Sequence, residues 1–146
     1  MKLKSVLAAA TLAAFAAGFA VAADNRHEAR EDLMKSIGKS MGALSAIAKG
    51  DNPYDAEVVK ASLAKISESA KAFPDQFPVG SEKDDEEASP KIWENMDDFK
   101  AKAAKLGADA DGLIAQLPAD GAGVGAALGV LGPNCGGCHE VYRIKK

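Results

Sequence analysis

The stretch Asn134-Cys-Gly-Gly-Cys-His-Glu-Val-Tyr-Arg143 holds both cysteines of the chain and one of its two histidines. Cys135 and Cys138 stand three residues apart, and His139 follows directly. Four chemistries use cysteine pairs of this kind. A structural zinc site takes four ligands, and the other histidine, His27, is far away in sequence. A thioredoxin-like redox pair opens a helix after a strand, whereas this pair falls late in a helical repeat. A disulfide between the two would close a very short loop and stabilise little. The fourth chemistry is covalent haem attachment through C-x-x-C-H. Two thiols on one helical face can form thioethers with the haem vinyl groups, and the adjacent imidazole can reach the iron. The spacing therefore predicts one haem c, anchored by Cys135 and Cys138, with His139 as the proximal ligand.

Four periodic segments must position this motif. The first runs from about Asp24 to Lys49, with Met34, Ile37, Met41, Leu44 and Ala48 on one face and Gly50 as its stop. The second begins at the N-cap Asp55, carries Val59, Leu63, Ile66, Ala70 and Phe73, and ends at Pro74. The third opens at Ser89-Pro90, with serine as N-cap and proline at the first helical position. It repeats Ile92, Met96, Phe99, Ala103, Leu106, Ala110, Leu113 and Leu117, while Gly107 and Gly112 weaken it locally and leave room for a break. The fourth starts near Asp120 and continues through Val124, Leu128, Leu131, Cys135, Cys138 and Tyr142, so the cysteines occupy seam positions. Between the second and third lies a long loop with two prolines, a glycine and the acidic run Asp84 to Glu87, expected to be solvated. Four amphipathic helices of this spacing predict an all-α antiparallel four-helix bundle.

Compartment is written at the other end of the chain. Lys2 and Lys4 precede an uncharged run from Val6 to Ala23 that closes on Ala20-Val21-Ala22. Basic, apolar and small-residue regions in that order describe a secretory signal peptide, residues 1–22, leaving a single domain of residues 23–146. Removing two of the 18 basic residues leaves 16 against 21 acidic ones, a mature net charge of −5. An acidic chain is poorly suited to nucleic acid or an anionic membrane. Export to the periplasm fits covalent haem attachment. Gly121-x-Gly123-x-x-Ala126 matches a dinucleotide fingerprint, which has its meaning only after a strand; here the small residues are expected to let the helix approach a neighbour closely.

Arg30 with Leu33-Met34-Lys35, KGDNPYD from Lys49, SPKIW from Ser89 with Phe99, and CGGCHEVYR from Cys135 touch all four segments. Together they resemble the cytochrome c′ family, the class II cytochromes c. That resemblance implies a left-handed bundle with one haem held near one end. From the residues alone, Met34, Met41 and Met96 are each open to packing or to iron ligation. The resemblance selects Met34, four residues after Arg30, as the sixth ligand of a low-spin, methionine-ligated branch. It also implies that Arg143 lies near the proximal haem face. Arg30 would pair with a haem propionate or else be a surface charge. Trp93 would wall the haem or pack in the core beside it, and His27 is expected to be solvated.

These expectations describe a periplasmic one-electron carrier, not an enzyme, whose partners are redox proteins. The alternative is a five-coordinate haem protein binding nitric oxide or carbon monoxide. Family members often pair through their first two helices, but the mixed exposed faces here leave dimerisation open.

Overall fold

The computed structural model describes residues 10–83 and 85–145, with side chains from residue 26. Residues 1–9 of the expected leader, Asp84 of the acidic run and Lys146 lie outside them. Along the described residues the elements are α1 (Ala10–Lys49), α2 (Ala56–Ala72), a 3-10 turn (Phe73–Gln76), α3 (Lys91–Glu94), α4 (Met96–Ala115) and α5 (Gly121–Tyr142). No helix among them is long and apolar enough to cross a membrane.

The helix ends follow local chemistry. α1 runs back through the alanine-rich stretch from Ala10, where helix propensity is high. It stops at Gly50, whose φ of 79° suits a residue without a β-carbon. Asp55 caps α2 by accepting from the Glu57 and Val58 amides, and Asp120 caps α5 by accepting from the Gly123 amide. Pro74 converts the end of α2 into the 3-10 turn.

The third segment differs from its reading. Its break falls at Asn95 (φ −133°, ψ 50°), which separates α3 from α4, while Gly107 and Gly112 lie inside unbroken helix. Two glycines cost roughly 1 kcal/mol each in a helix. That cost is outweighed by flanking Ala103, Leu106 and Ala110, all buried. Lys71 covers Gly107, 3.0 Å from where a β-carbon would stand, so this glycine admits a close neighbour.

The four long helices pack in a closed ring, α1 on α2, α2 on α4, α4 on α5 and α5 on α1. The main core joins Ile37, Leu44 and Ile47 of α1 to Val59, Leu63 and Ile66 of α2, Leu106 and Ala110 of α4, and Val124 and Leu131 of α5. Each large aliphatic side chain removed from water there contributes about 1.5–3 kcal/mol. A second cluster of Phe77, Ala88, Ile92, Phe99 and Tyr142 closes the opposite end. Gly121 sits against the Ile47 carbonyl, where a β-carbon would meet the oxygen at 3.2 Å. The small-residue stretch therefore serves helix approach, as read. The Gly121 end of α5 thus lies beside the Lys49 end of α1, as an antiparallel pair requires.

Candidate functional site

At the end of the bundle that holds the aromatic cluster, α1 and α5 part around a cavity of about 930 Å³. That volume lies within the range of small-molecule and cofactor sites. Cys135, Cys138 and His139 of α5 line it together with Met34, Ile37 and Met41 of α1. Phe73, Phe77, Ile92, Phe99 and Leu106 supply further apolar wall, and charged side chains such as Lys35, Lys102 and Arg143 stand around it.

The fourth-segment repeat explains the placement of the motif. Val124, Ala127 and Leu131 bury one stripe of α5, and Cys135 and Cys138 continue it to where the stripe opens onto the cavity. Both cysteines are half-buried and neither forms a disulfide. The Cys135 thiol donates to the Leu131 carbonyl, 3.7 Å away. Burial pushes both thiols above their ordinary range, so both stay protonated at neutral pH. His139 keeps much of its surface open. Partial burial, and then the Arg143 charge, lower the pKa of its imidazole. A neutral ring at pH 7 has a lone pair to offer a metal.

Pro133 sits inside α5, two residues before Cys135, and removes one donor from the helix ladder. Asn134 bridges this weak turn. Its Nδ2 donates to Val130 O at 3.1 Å and to Asp109 Oδ2 of α4 at 2.7 Å. Lys105 Nζ donates to the same carboxylate at 2.6 Å. Tyr142 is buried, and its hydroxyl donates to Asp98 Oδ2 at 2.6 Å.

These are cofactor walls of the right chemistry: two free thiols beside a neutral imidazole, a thioether across the same cavity, apolar sides and a charged rim. They fit a covalently held haem. A family model described as Cytochrome C′ matches residues 25–143. The chain belongs to the cytochrome c′ family. It is similar to cytochrome c-556 of Agrobacterium fabrum (strain C58), with 59% identity over 146 residues, covering 100% of this chain and 99% of that one. Among solved structures it resembles cytochrome c′ from Rhodopseudomonas palustris, with 35% identity and a TM-score of 0.74, covering 80% of this chain and 94% of that one. An NMR-validated structural model of oxidised cytochrome c556 from R. palustris gives 35% identity and a TM-score of 0.70 over the same shares. As in those relatives the fold is a four-helix bundle, and the cofactor of this cytochrome c′ family member is one haem c.

Not every residue expected at the haem lies along the cavity. Met34, Arg30 and Arg143 line it. Trp93 is not among its lining residues: its indole donates to Pro78 O at 3.0 Å and its ring packs on Phe77, with centroids 5.8 Å apart. Trp93 is therefore a half-buried residue packed against the aromatic cluster, with its one polar atom engaged by the loop. Arg30 is no surface charge. It is 2% exposed, with its guanidinium 4.1 Å from the centre of the Phe77 ring. Its Nε and Nη2 donate to Gln76 O at 3.0 and 2.9 Å, and Nη2 also donates to Ser81 Oγ at 2.8 Å.

The acidic loop also departs from its reading. Asp85, expected to be solvated, is 13% exposed and faces Arg30 Nη1 at 3.9 Å and His27 Nδ1 at 3.7 Å. His27, expected to be solvated, is 46% exposed. The physical reason is the buried Arg30: a charge taken from water draws counter-charges to it. Sequence reading passed over Asn134, Asp98, Gln76 and Ser81. Only Asn134 carried a signal, since it immediately precedes Cys135.

Proposed function

We propose that the chain is an exported one-electron carrier whose haem c is joined to Cys135 and Cys138 and ligated by His139 and Met34. One observation carries this reading. Met34 of α1 and His139 of α5 line the same cavity, on helices that face each other across it. A bound haem supplies a reversible one-electron couple, and His/Met ligation favours the ferrous form. The chain's own residues do the remainder. The two thiols fix the cofactor against α5. The neutral imidazole and the thioether each offer a lone pair without adding charge. Phe73, Phe77 and Phe99 exclude water, which also favours the less charged iron.

The leader supports a periplasmic location, with residues 1–22 removed, and other redox proteins as partners. No catalytic turnover is assigned. Peroxide cleavage calls for a distal acid–base group; His27, the histidine other than His139, also lines the cavity, with its Nδ1 3.7 Å from Asp85 Oδ2.

Gas binding is the second reading, favoured by the extent of the cavity beyond Met34 to Met41 and Ala70, which leaves room for a displaced thioether. Visible spectra of the exported, haem-loaded protein, ferric and ferrous, with and without carbon monoxide, separate the two. The electron-carrier reading expects a low-spin spectrum that resists carbon monoxide. Met34→Leu should convert it to a high-spin, carbon-monoxide-reactive one. A wild-type protein that is already high-spin and reacts at once would make gas binding the function and Met34 a packing residue.

A further inference from the structure

α1 and α5 touch closely at the Gly121 end but are held apart by the cavity at the other. Segments 76–83 and 85–89 lie across that open end and are bonded to both helices. On the α1 side the attachment is Arg30, through Gln76 O, Ser81 Oγ and the ring of Phe77. Ser81, 1% exposed, passes the connection on by donating to Pro78 O at 2.8 Å, the oxygen that also accepts from Trp93. On the α5 side the attachment is mainly backbone. The Ile144 amide donates to Glu87 O at 2.8 Å, the Ser89 amide donates to Tyr142 O at 3.0 Å, and Ala88 pairs antiparallel with Arg143. Arg143 Nη2 adds a bond to Glu87 Oε2 at 3.2 Å.

The register of these attachments matters. Arg30 lies four residues before Met34 and Arg143 four residues after His139, each about one helical turn from the side chain in question. We propose that Arg30 is a positioning residue for Met34: through the strap segments 76–83 and 85–89 it sets the separation between the Met34 turn of α1 and the His139 turn of α5. This rests on the reading that Met34 and His139 would both hold the haem iron. A thioether is a weak, neutral donor, and a small widening of the gap releases it. Arg30 is suited to the task. Its guanidinium is planar, engages two acceptors on the strap at once and lies against an aromatic ring, a combination that lysine does not reproduce.

Loss of a charge-assisted hydrogen bond shifts a two-state balance by roughly ten- to a hundredfold. In haem-loaded ferrous protein, Arg30→Gln is expected to raise the rate of carbon monoxide binding by about tenfold or more. It should also add a high-spin component to the ferric spectrum at unchanged far-ultraviolet circular dichroism. Arg30→Lys should restore the wild-type behaviour only in part. Ser81→Ala, which removes one acceptor of Arg30 together with the donor to Pro78 O, should act in the same direction with a smaller effect, and it carries the test if Arg30→Gln does not load haem. In a Met34→Leu background, Arg30→Gln should add nothing further.

Wild-type rates and spectra in the Arg30 and Ser81 variants, beside a clear effect of Met34→Leu, would overturn the positioning role and leave Met34 as ligand. Equal acceleration by Arg30→Gln with and without Met34 would also overturn it, because the strap would then act on access alone. No effect of Met34→Leu itself would remove the ligand assignment, and the positioning role with it.

Discussion

The Tyr142 hydroxyl donates to Asp98 Oδ2 across 2.6 Å and ties the last turn of α5 to the first turn of α4. Burial, and then this bond to a carboxylate, push the phenol's pKa up to about 12. An unfolded chain releases the same proton near pH 10. The folded state therefore holds a proton that the unfolded state has lost, and stability falls as pH rises. The contribution is complete below about pH 10 and gone by about pH 12. Thermal unfolding followed across that window should show wild type losing more stability than Tyr142→Phe. At neutral pH the variant should be less stable by about 1 kcal/mol, since the exposed Asp98 carboxylate regains water.

Cys135 and Cys138 are free thiols lining the same cavity, so each should carry its own thioether. Replacing both by serine is expected to leave any bound haem extractable under denaturing conditions, and each single variant should retain it. Haem staining after denaturing electrophoresis reads this directly. Stain surviving in the double variant would refute the assignment.

Asn134 holds the turn before the motif to Asp109, whose carboxyl lies below its ordinary range because Lys105, and then Asn134, donate to it. Asn134→Ala should cost about 1 kcal/mol at neutral pH. The depressed carboxyl adds stability that is present above the unfolded value, near pH 4, and is lost as pH falls through the lower folded value. Urea titrations of wild type and Asp109→Ala should therefore converge on acidification below about pH 4.

Phe99 and Leu63 separate stability from site chemistry. Both are buried, Phe99 1% and Leu63 0% exposed, but only Phe99 lines the cavity. Phe99→Ala is expected to destabilise by about 3–5 kcal/mol and Leu63→Ala by about 2–5 kcal/mol. The haem spectrum should change in the first and stay as wild type in the second. A spectrum altered equally by both would mean that the two ends of the bundle are not independent.

Local rules account for much of what could be read in advance. The apolar stripes led to buried Leu44, Val59, Leu63, Ile66, Phe99 and Leu131 because a helix places every third or fourth residue on one side. The cap Asp55, the start of the fourth helix near Asp120 and the stop at Gly50 were visible because each acts on amides or dihedrals within a few residues of itself. The break at Asn95 was missed for the opposite reason. The third stripe reads through it without interruption, and Asn95 offers no side-chain cap.

The sequence by itself determined the helices, their inward faces and the C-x-x-C-H motif, since spacing along one helix is enough to specify each. It could not reveal that Arg30 is buried, that Asp85 turns toward it, that Trp93 is tied to Pro78, or that Tyr142 finds Asp98. The last pair is 44 residues apart along the chain, and Arg30 and Ser81 are 51 apart. No periodicity encodes such partners. They meet because the ring of helices brings the start of α4 and the end of α5 to one end of the bundle, and because a loop without helical pattern crosses that end. A buried charge or hydroxyl there must find an oppositely matched group within hydrogen-bond reach, and tertiary structure alone decides which one it is.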